Sequence, residues 1–254
     1  MKYCAPDPVI QRDGLSSSSW RLRRLHLCNA YLDDLFAKHI GLVCHSLEDL
    51  ELHKCTCHNI HSIASHSLKN LVLKNCGFDK LSEITLPTLK TLIIYGGWIQ
   101  NASQLVILVP VIAYLQLDVD VVCFGCRISI NETPCLAKAF IHRKGIRDII
   151  VKSKFGGDLL KLVCGVSNVK SLELKGFGRM VCLLYLYQCS FFHSIFVVAP
   201  SNVLQVFGEG LAPLQEFKNL MNLLLDNCVL TDDFEILGLF LQNSPNLEKL
   251  TLQH

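Results

Sequence analysis

Apolar and polar positions along this chain fall into a short phrase that keeps returning: apolar residues at i, i+3 and i+5, with mostly polar residues between them. The clearest copies are Leu22, Leu25, Leu27; Leu47, Leu50, Leu52; Leu68, Leu71, Leu73; Leu220, Leu223, Leu225; and Leu247, Leu250, Leu252. Looser copies are Leu89, Leu92, Ile94; Ile112, Leu115, Leu117; and Val169, Leu172, Leu174. Starts at 22, 47, 68, 89 and 112 are separated by 25, 21, 21 and 23 residues, and those at 220 and 247 by 27. Within each copy the last two apolar positions flank a single residue, the period-two mark of a strand with one buried face, and the first closes the unit's edge. Burying three leucines contributes roughly 1.5–3 kcal/mol each, against about 1–2 kcal/mol of backbone entropy for every ordered residue. One unit therefore cannot fold alone, and neighbours must share their apolar faces. The pattern predicts one strand per unit, stacked in parallel.

That phrase and that period are those of leucine-rich repeats. Such a repeat places Asn or Cys three residues after its second strand leucine, where a small polar side chain satisfies backbone groups inside the turn. Cys55, Cys76 and Cys228 stand there, Gly97, Asp120 and Phe177 stand at the same point of looser copies, and Asn29 falls one residue early. Between strands, the run from Asp33 to Cys44 predicts a helix whose acidic start suits the helix dipole. Asp232-Asp233-Phe234 opens a second helix with Phe234, Leu237 and Leu241 as its core-facing stripe, stopped at Ser244-Pro245. The two 21-residue units leave room only for turns or single 3₁₀ turns. The expected fold class is thus α/β: a curved solenoid with parallel strands on the concave face, short helices or turns on the convex face, and one irregular insertion.

The insertion is expected where the register fails, because 51 residues separate the starts at 169 and 220. Residues 182–198 are rich in Cys, Phe, Tyr and Val without strand-like alternation. The run from Val181 to Ala199 is apolar, but Gln188, Ser190, His193 and Ser194 interrupt it, so a membrane span is not expected. The resulting organisation is a disordered tail over 1–19, a solenoid over 20–180, an insertion or divergent repeat over 181–215, and a resumed solenoid over 216–254 that stops inside its last repeat.

Composition narrows the partners. A net charge of +2 with scattered Lys and Arg indicates neither a nucleic-acid surface nor a polybasic membrane patch. Thirteen cysteines is an odd number, and several occupy the turn position of the repeat, which points to reduced thiols in the cytoplasm or nucleus. The first ten residues lack an apolar core of signal-peptide length, so Asn101-Ala-Ser103 and Asn131-Glu-Thr133 are expected to stay unglycosylated.

The phrases LRRLHLCNAYLDD, LEDLELHKC, LKNLVLKNC, VKSLELKGF and NLMNLLLDNCVLTDDFEILGLFLQNSPNLEKLTLQ resemble the leucine-rich-repeat region of plant F-box/LRR proteins, a group that often carries a C-terminal FBD segment. The resemblance runs from about Trp20 to His254. It implies a region that selects a target protein for a cullin-based ubiquitin ligase, to which an N-terminal F-box would dock through the Skp1 adaptor. About twenty residues precede the first repeat, too few for an F-box, so Skp1 and cullin association is not expected of this chain. An FBD segment after His254 is not expected. A retained non-coding segment near 181–204, giving a truncated or mis-spliced product without settled activity, is the alternative to a genuine loop.

If the strands stack, residues flanking the strand leucines face the concave surface, where solenoids bind. Those are Arg24, His26, Asp49, Glu51, His53, Asn70, Lys74, Tyr95, Tyr114, Gln116, Asp118, Glu173, Lys175, Asn222, Asp226, Lys249 and Gln253. Mixed charge with two tyrosines suits protein recognition better than phosphate tracking. The competing chemistry is a metal or thiol-redox site. His53, Cys55, Cys57, His58 and His61 have zinc-compatible side chains, but Cys-x-Cys is short for a zinc knuckle and Cys55 already has a repeat role. Cys123 and Cys126 match Cys-x-x-Cys without a thioredoxin-like surrounding. No phosphate loop, nucleotide fingerprint or nucleophile elbow occurs, so no enzyme, cofactor or metal is expected.

Overall fold

The computed structural model describes residues 21–100, 104–120, 127–131, 133–144, 162–176, 215–226 and 235–253. Its spine is a nine-stranded parallel sheet: β1 Arg24–Cys28, β3 Asp49–His53, β6 Asn70–Lys74, β9 Thr91–Tyr95, β12 Tyr114–Asp120, β14 Lys138–Lys144, β15 Ser171–Lys175, β16 Asn222–Asp226 and β17 Lys249–Gln253, stacked in chain order. The chain is a solenoid of stacked parallel strands. Strand register makes the repeated phrase into continuous ladders. One runs Leu25, Leu50, Leu71, Leu92, Leu115, Ala139, Leu172, Leu223, Leu250, and the next runs Leu27, Leu52, Leu73, Ile94, Leu117, Ile141, Leu174, Leu225, Leu252. From Leu50 to Leu225 these side chains are buried.

In six of the copies the first apolar residue closes a turn. The amides of Leu47, Leu89, Ile112, Val169, Leu220 and Leu247 each donate to a carbonyl three residues back. The next two amides then both reach the preceding coil: Glu48 and Asp49 to Arg23 O, Lys69 and Asn70 to Glu48 O, Lys90 and Thr91 to Lys69 O. The same fork recurs as far as Glu48's counterpart in the last coil, Glu248, which with Lys249 donates to Met221 O. Because buried amides must be paired, this fork explains why two residues separate the first two leucines of the phrase.

One coil escaped the sequence pattern. Leu136, Ala139 and Ile141 fill the ladder positions through β14, between β12 and β15. Ala139 stands where other coils carry a large apolar residue, so the phrase is unreadable there without its neighbours. Across the 51-residue interval, β15 pairs directly with β16, and Met221 and Asn222 donate to Lys170 O. The insertion placed at 181–215 lies, but for its last residue, outside the described residues, as do the tail at 1–19 and the apolar run at 181–199. Among the described residues no helix is long and apolar enough to cross a membrane.

The return side of the shorter coils corrects the expectation of bare turns. Three successive coils return through two strands each, and with one strand from the coil on either side these form two further parallel sheets. One comprises β2 Tyr31–Leu32, β4 Thr56–Cys57, β7 Gly77–Phe78 and β10 Trp98–Ile99; the other β5 Ser62–Ala64, β8 Glu83–Thr85, β11 Gln104–Leu108 and β13 Arg127–Ile130. A 21-residue coil is too short for a helix, but once stacked it can pair its return backbone with the next coil, which satisfies the groups a bare turn would leave open. Inward residues continue the core: Leu32, Cys57, Phe78 and Ile99 in the first, Ile63, Ile84, Ile107 and Ile130 in the second.

Helices occur in longer coils. Helix α1, Asp34–Leu42, matches the predicted run, and its N-cap Asp33 accepts from the Phe36 amide at 3.1 Å. Helix α2, Glu235–Asn243, also lies in the predicted place, but its stripe differs: Phe240 is buried at 3 % exposure against Phe217, ring centroids 5.6 Å apart, whereas Leu241 is 50 % exposed. Residues 232–234 lie outside the described residues. Helix α1 and a helical turn at 162–165 cover the two edges of the β5/β8/β11/β13 sheet, and each brings a glycine against an edge carbonyl. A Cβ on Gly41 would stand 2.6 Å from Ala64 O, and one on Gly165 2.7 Å from Ile130 O. Covered edges cannot template further pairing.

Each of five coils ends its main strand with a left-handed residue: Asn29, Lys54, Asn75, Gly96 and Gly176, with φ between 53° and 75°. Their amides donate to a carbonyl at or near the end of the next main strand, for example Asn29 to His53 O at 2.9 Å and Lys54 to Lys74 O at 2.8 Å. Asn29 is thus not an early turn residue but the regular occupant of this corner. Lys54 is the costly one, since a side-chain-bearing residue other than Asn or Asp pays about 1–2 kcal/mol there. Lys54→Gly should leave stability unchanged or raise it by up to about 1 kcal/mol, and Gly165→Ala should lower it by at least about 1 kcal/mol, both read as urea midpoints of the full chain. The opposite signs separate corner conformation from edge packing.

Candidate functional site

Between the ladder residues, the main sheet turns a second set of side chains outward, and register sorts them into three rows. The first row contains Arg24, Asp49, Asn70, Thr91, Tyr114, Lys138, Ser171, Asn222 and Lys249. The second contains His26, Glu51, Val72, Ile93, Gln116, Phe140, Glu173, Leu224 and Thr251, and the third Cys28, His53, Lys74, Tyr95, Asp118, His142, Lys175, Asp226 and Gln253. All seventeen residues nominated from the sequence occupy these rows. The sequence reading missed the half-buried Val72, Ile93, Phe140 and Leu224 of the middle row, because apolar residues between ladder leucines look like surplus core; it missed Lys138 and His142 because their coil was unread.

Opposite charges meet across neighbouring strands. Arg24 Nε lies 2.9 Å from Asp49 Oδ2, Lys74 Nζ donates to Glu51 Oε1 at 2.9 Å, and Lys175 Nζ lies 2.5 Å from Asp226 Oδ2. Asn70 donates through Nδ2 to Asp49 Oδ1, and Tyr114 donates to Gln116 Oε1 at 3.1 Å. The hydrogen bond from Lys74 is the main reason the Glu51 carboxyl sits below its usual range, with Lys74, His26 and His53 charges adding to it against a desolvation cost. Exposed pairs of this kind contribute little stability each, so their chief effect is to hold long side chains in place. At the centre, His142 Nδ1 lies 3.0 Å from Asp118 Oδ2, and the His142 ring meets Phe140 edge-on at 6.1 Å between centroids. Asp118 is only 4 % exposed, so of the nominated residues it supports the face rather than offering itself for contact.

The Cys/His cluster proposed from sequence is not assembled. Cys55 and Cys57 are both buried in the core, within electrostatic reach of each other, whereas His53 lies on the outer face of the main sheet and His58 and His61 are exposed. His58 stacks on Tyr31 with the rings 6.5 Å apart and 2° from parallel, and its Nδ1 is 3.5 Å from Asp79 Oδ2. Among the described residues no group of three or more His, Cys, Asp or Glu is placed to hold a metal ion. Alternation parts Cys57 from His58: in an extended chain, successive side chains point to opposite sides, here the core and the solvent. Cys123 and Cys126 lie outside the described residues.

The turn cysteines take the place the repeat gives them. Cys76 Sγ donates to Leu52 O at 3.3 Å and Lys74 O at 3.5 Å, and Cys55 Sγ donates to Leu27 O at 3.5 Å and His53 O at 3.6 Å. Each thiol therefore ties its own corner to the preceding coil. Gly97 occupies the equivalent position of the next coil without a side chain, while Cys228 and Phe177 lie outside the described residues. Burial raises the thiols of Cys44, Cys57, Cys76 and Cys164, Cys76 to about 11 from an ordinary 9.0.

Comparison with protein-family models, curated proteins and solved structures finds no match to this chain.

Two outcomes follow from the thiols. A thiol raised on folding binds its proton more tightly in the native state, so the stability it contributes is intact below the unfolded value of 9.0 and lost as pH rises to the folded value of about 11. Urea midpoints should fall across that window, by the equivalent of about 2 kcal/mol for Cys76, and Cys76→Ala should flatten the fall. Separately, Cys57→Ser should cost about 1–3 kcal/mol, since Leu32 and Phe78 flank it in the inward ladder, whereas Cys76→Ser should cost less than about 1 kcal/mol because the hydroxyl can donate to the same carbonyls. Equal losses in urea titrations would contradict the assigned roles.

Proposed function

We propose that this chain is a protein-recognition module of the leucine-rich-repeat type, which selects a partner through the outer face of its main sheet rather than catalysing a reaction on it. The observation that carries this reading is the composition of the face in register. A middle row with half-buried Val72, Ile93, Phe140 and Leu224 is bordered by rows of paired charges and by Tyr95 and Tyr114. Protein interfaces have such an apolar centre with a polar rim, and tyrosines are enriched in them. Cross-strand pairing leaves the face near charge balance, which suits a protein surface of mixed charge better than a polyanion. The leucine-rich-repeat assignment draws support from the phrase, its spacing and the inter-coil thiol bonds of Cys55 and Cys76.

The biological setting we propose is target selection in the manner of the substrate-recognition region of F-box/LRR proteins. This rests on the resemblance of the repeat phrases, with the target protein still to be found and with Skp1 engagement outside what these repeats would do. Capture of partners from plant extract on the immobilised full chain tests it. Tyr95→Ala with Phe140→Ala should weaken the captured complex by about 2 kcal/mol or more, roughly thirtyfold in Kd, while Glu83→Ala on the β8 strand of the return side leaves it unchanged. Equal recovery by both variants, or no specific partner at all, would remove the assignment of this face.

A further inference from the structure

One corner of the outer face carries a nucleophile beside a base. Cys28 ends β1 with its side chain exposed, and its Sγ lies 3.2 Å from Nε2 of His26, two residues earlier on the same side of the strand. Register places Glu51 next to His26 and His53 next to Cys28. Arg24, on the same side of β1, is paired with Asp49, and Lys74 of β6 is paired with Glu51. The Glu51 carboxyl responds to the charges of His26 and His53, after the larger effect of Lys74, so the acid and the two imidazoles share one electrostatic neighbourhood. A nucleophile within hydrogen-bond reach of a base, with a third group beside that base, is the arrangement that activates thiols and hydroxyls.

We propose that Cys28 is a modification site at which the thiol, served by His26, reacts with small peroxides to form a sulfenic acid. The proton on Sγ passes to Nε2 of His26. The thiolate attacks one peroxide oxygen, the S–O bond forms as the O–O bond breaks, and the leaving hydroxide takes the proton back from the imidazolium as water. The sulfur loses two electrons and the peroxide gains them, so Cys28 and hydrogen peroxide become Cys28 sulfenic acid and water. His26 acts as both proton acceptor and donor. Among the described residues, the thiols in the core are badly placed for this chemistry. Cys44, Cys55, Cys57 and Cys76 are buried, and burial raises Cys44, Cys57, Cys76 and the part-buried Cys164 away from the reactive thiolate. Cys135 is exposed and serves as the internal comparison.

Cys28 belongs to the face assigned above to partner recognition, but its reactivity can be measured with no partner present, so the two readings stand or fall separately. The native full chain is pulsed with iodoacetamide at pH 7, quenched, and each cysteine peptide quantified by mass spectrometry. Cys28 should label about tenfold faster than Cys135. His26→Ala should bring the two rates within about twofold, and imidazole added to that variant should restore the rate at Cys28 without changing Cys135. His26 is exposed, so the substitution tests chemistry rather than folding. Hydrogen peroxide followed by dimedone should then leave the adduct on Cys28. The proposal is overturned if Cys28 and Cys135 label at one rate, if His26→Ala leaves the difference intact, if imidazole restores nothing, or if peroxide yields no dimedone adduct at Cys28.

Discussion

Parallel strands can stack indefinitely only if each coil offers the next the same hydrogen-bond pattern and the same apolar outline, and in this chain both requirements meet at one place. It is the carbonyl just before each main strand, which accepts two amides from the following coil. With that fork in place, the two residues after the first leucine are committed to inter-coil bonds, and the next leucines fall on the inward side of the strand. The left-handed corner after the strand then donates forward to the following coil. A coil shifted by one residue would present its polar row to the core and lose the fork as well, so register is specified twice.

That constraint explains how coils of different length coexist. Twenty-one residues suffice to close a circuit through two short return strands, and longer coils add a helix without disturbing the strand they begin with. Helix α1 and the helical turn at 162–165 both lie where the second return sheet ends, each with a glycine against the edge strand. The 51-residue interval before Asn222 obeys the same rule from the main sheet's side, since β16 pairs with β15 in unbroken register. Among the described residues variation lies on the return side, and the outer face of the main sheet is continuous from Arg24 to Gln253. Such continuity is what a recognition surface needs: fixed spacing between side chains that are far apart in sequence.

Much of this was legible in the order of residues alone. Leucines at fixed offsets announced strands, period and stacking, and acidic residues ahead of an apolar stripe announced both helices. Outward residues could be named because alternation is a local rule. What could not be read was anything decided by a neighbour. Ala139 is a ladder residue only because Leu115 and Leu172 lie on either side of it. The return strands are strands only because adjacent coils supply their hydrogen bonds, and a two-residue segment such as Tyr31–Leu32 has no propensity signal of its own. Cys57, His58 and His61 are close in sequence, yet Cys57 is buried while His58 and His61 are exposed, since an extended chain turns successive side chains to opposite sides.

The sequence by itself determined that apolar side chains recur with the spacing of a strand repeat, that such units must stack, and which residues would point away from the core, because periodicity and burial are set by local geometry and by the cost of exposing leucine. Only the tertiary structure decided which coils are neighbours, that the return side is built of strands, that Asp118 is buried beside His142, and that His26 and Cys28 share an exposed corner with Glu51. Those outcomes depend on contacts between residues about twenty to fifty positions apart, and it is the hydrogen-bonded register between coils that brings them together.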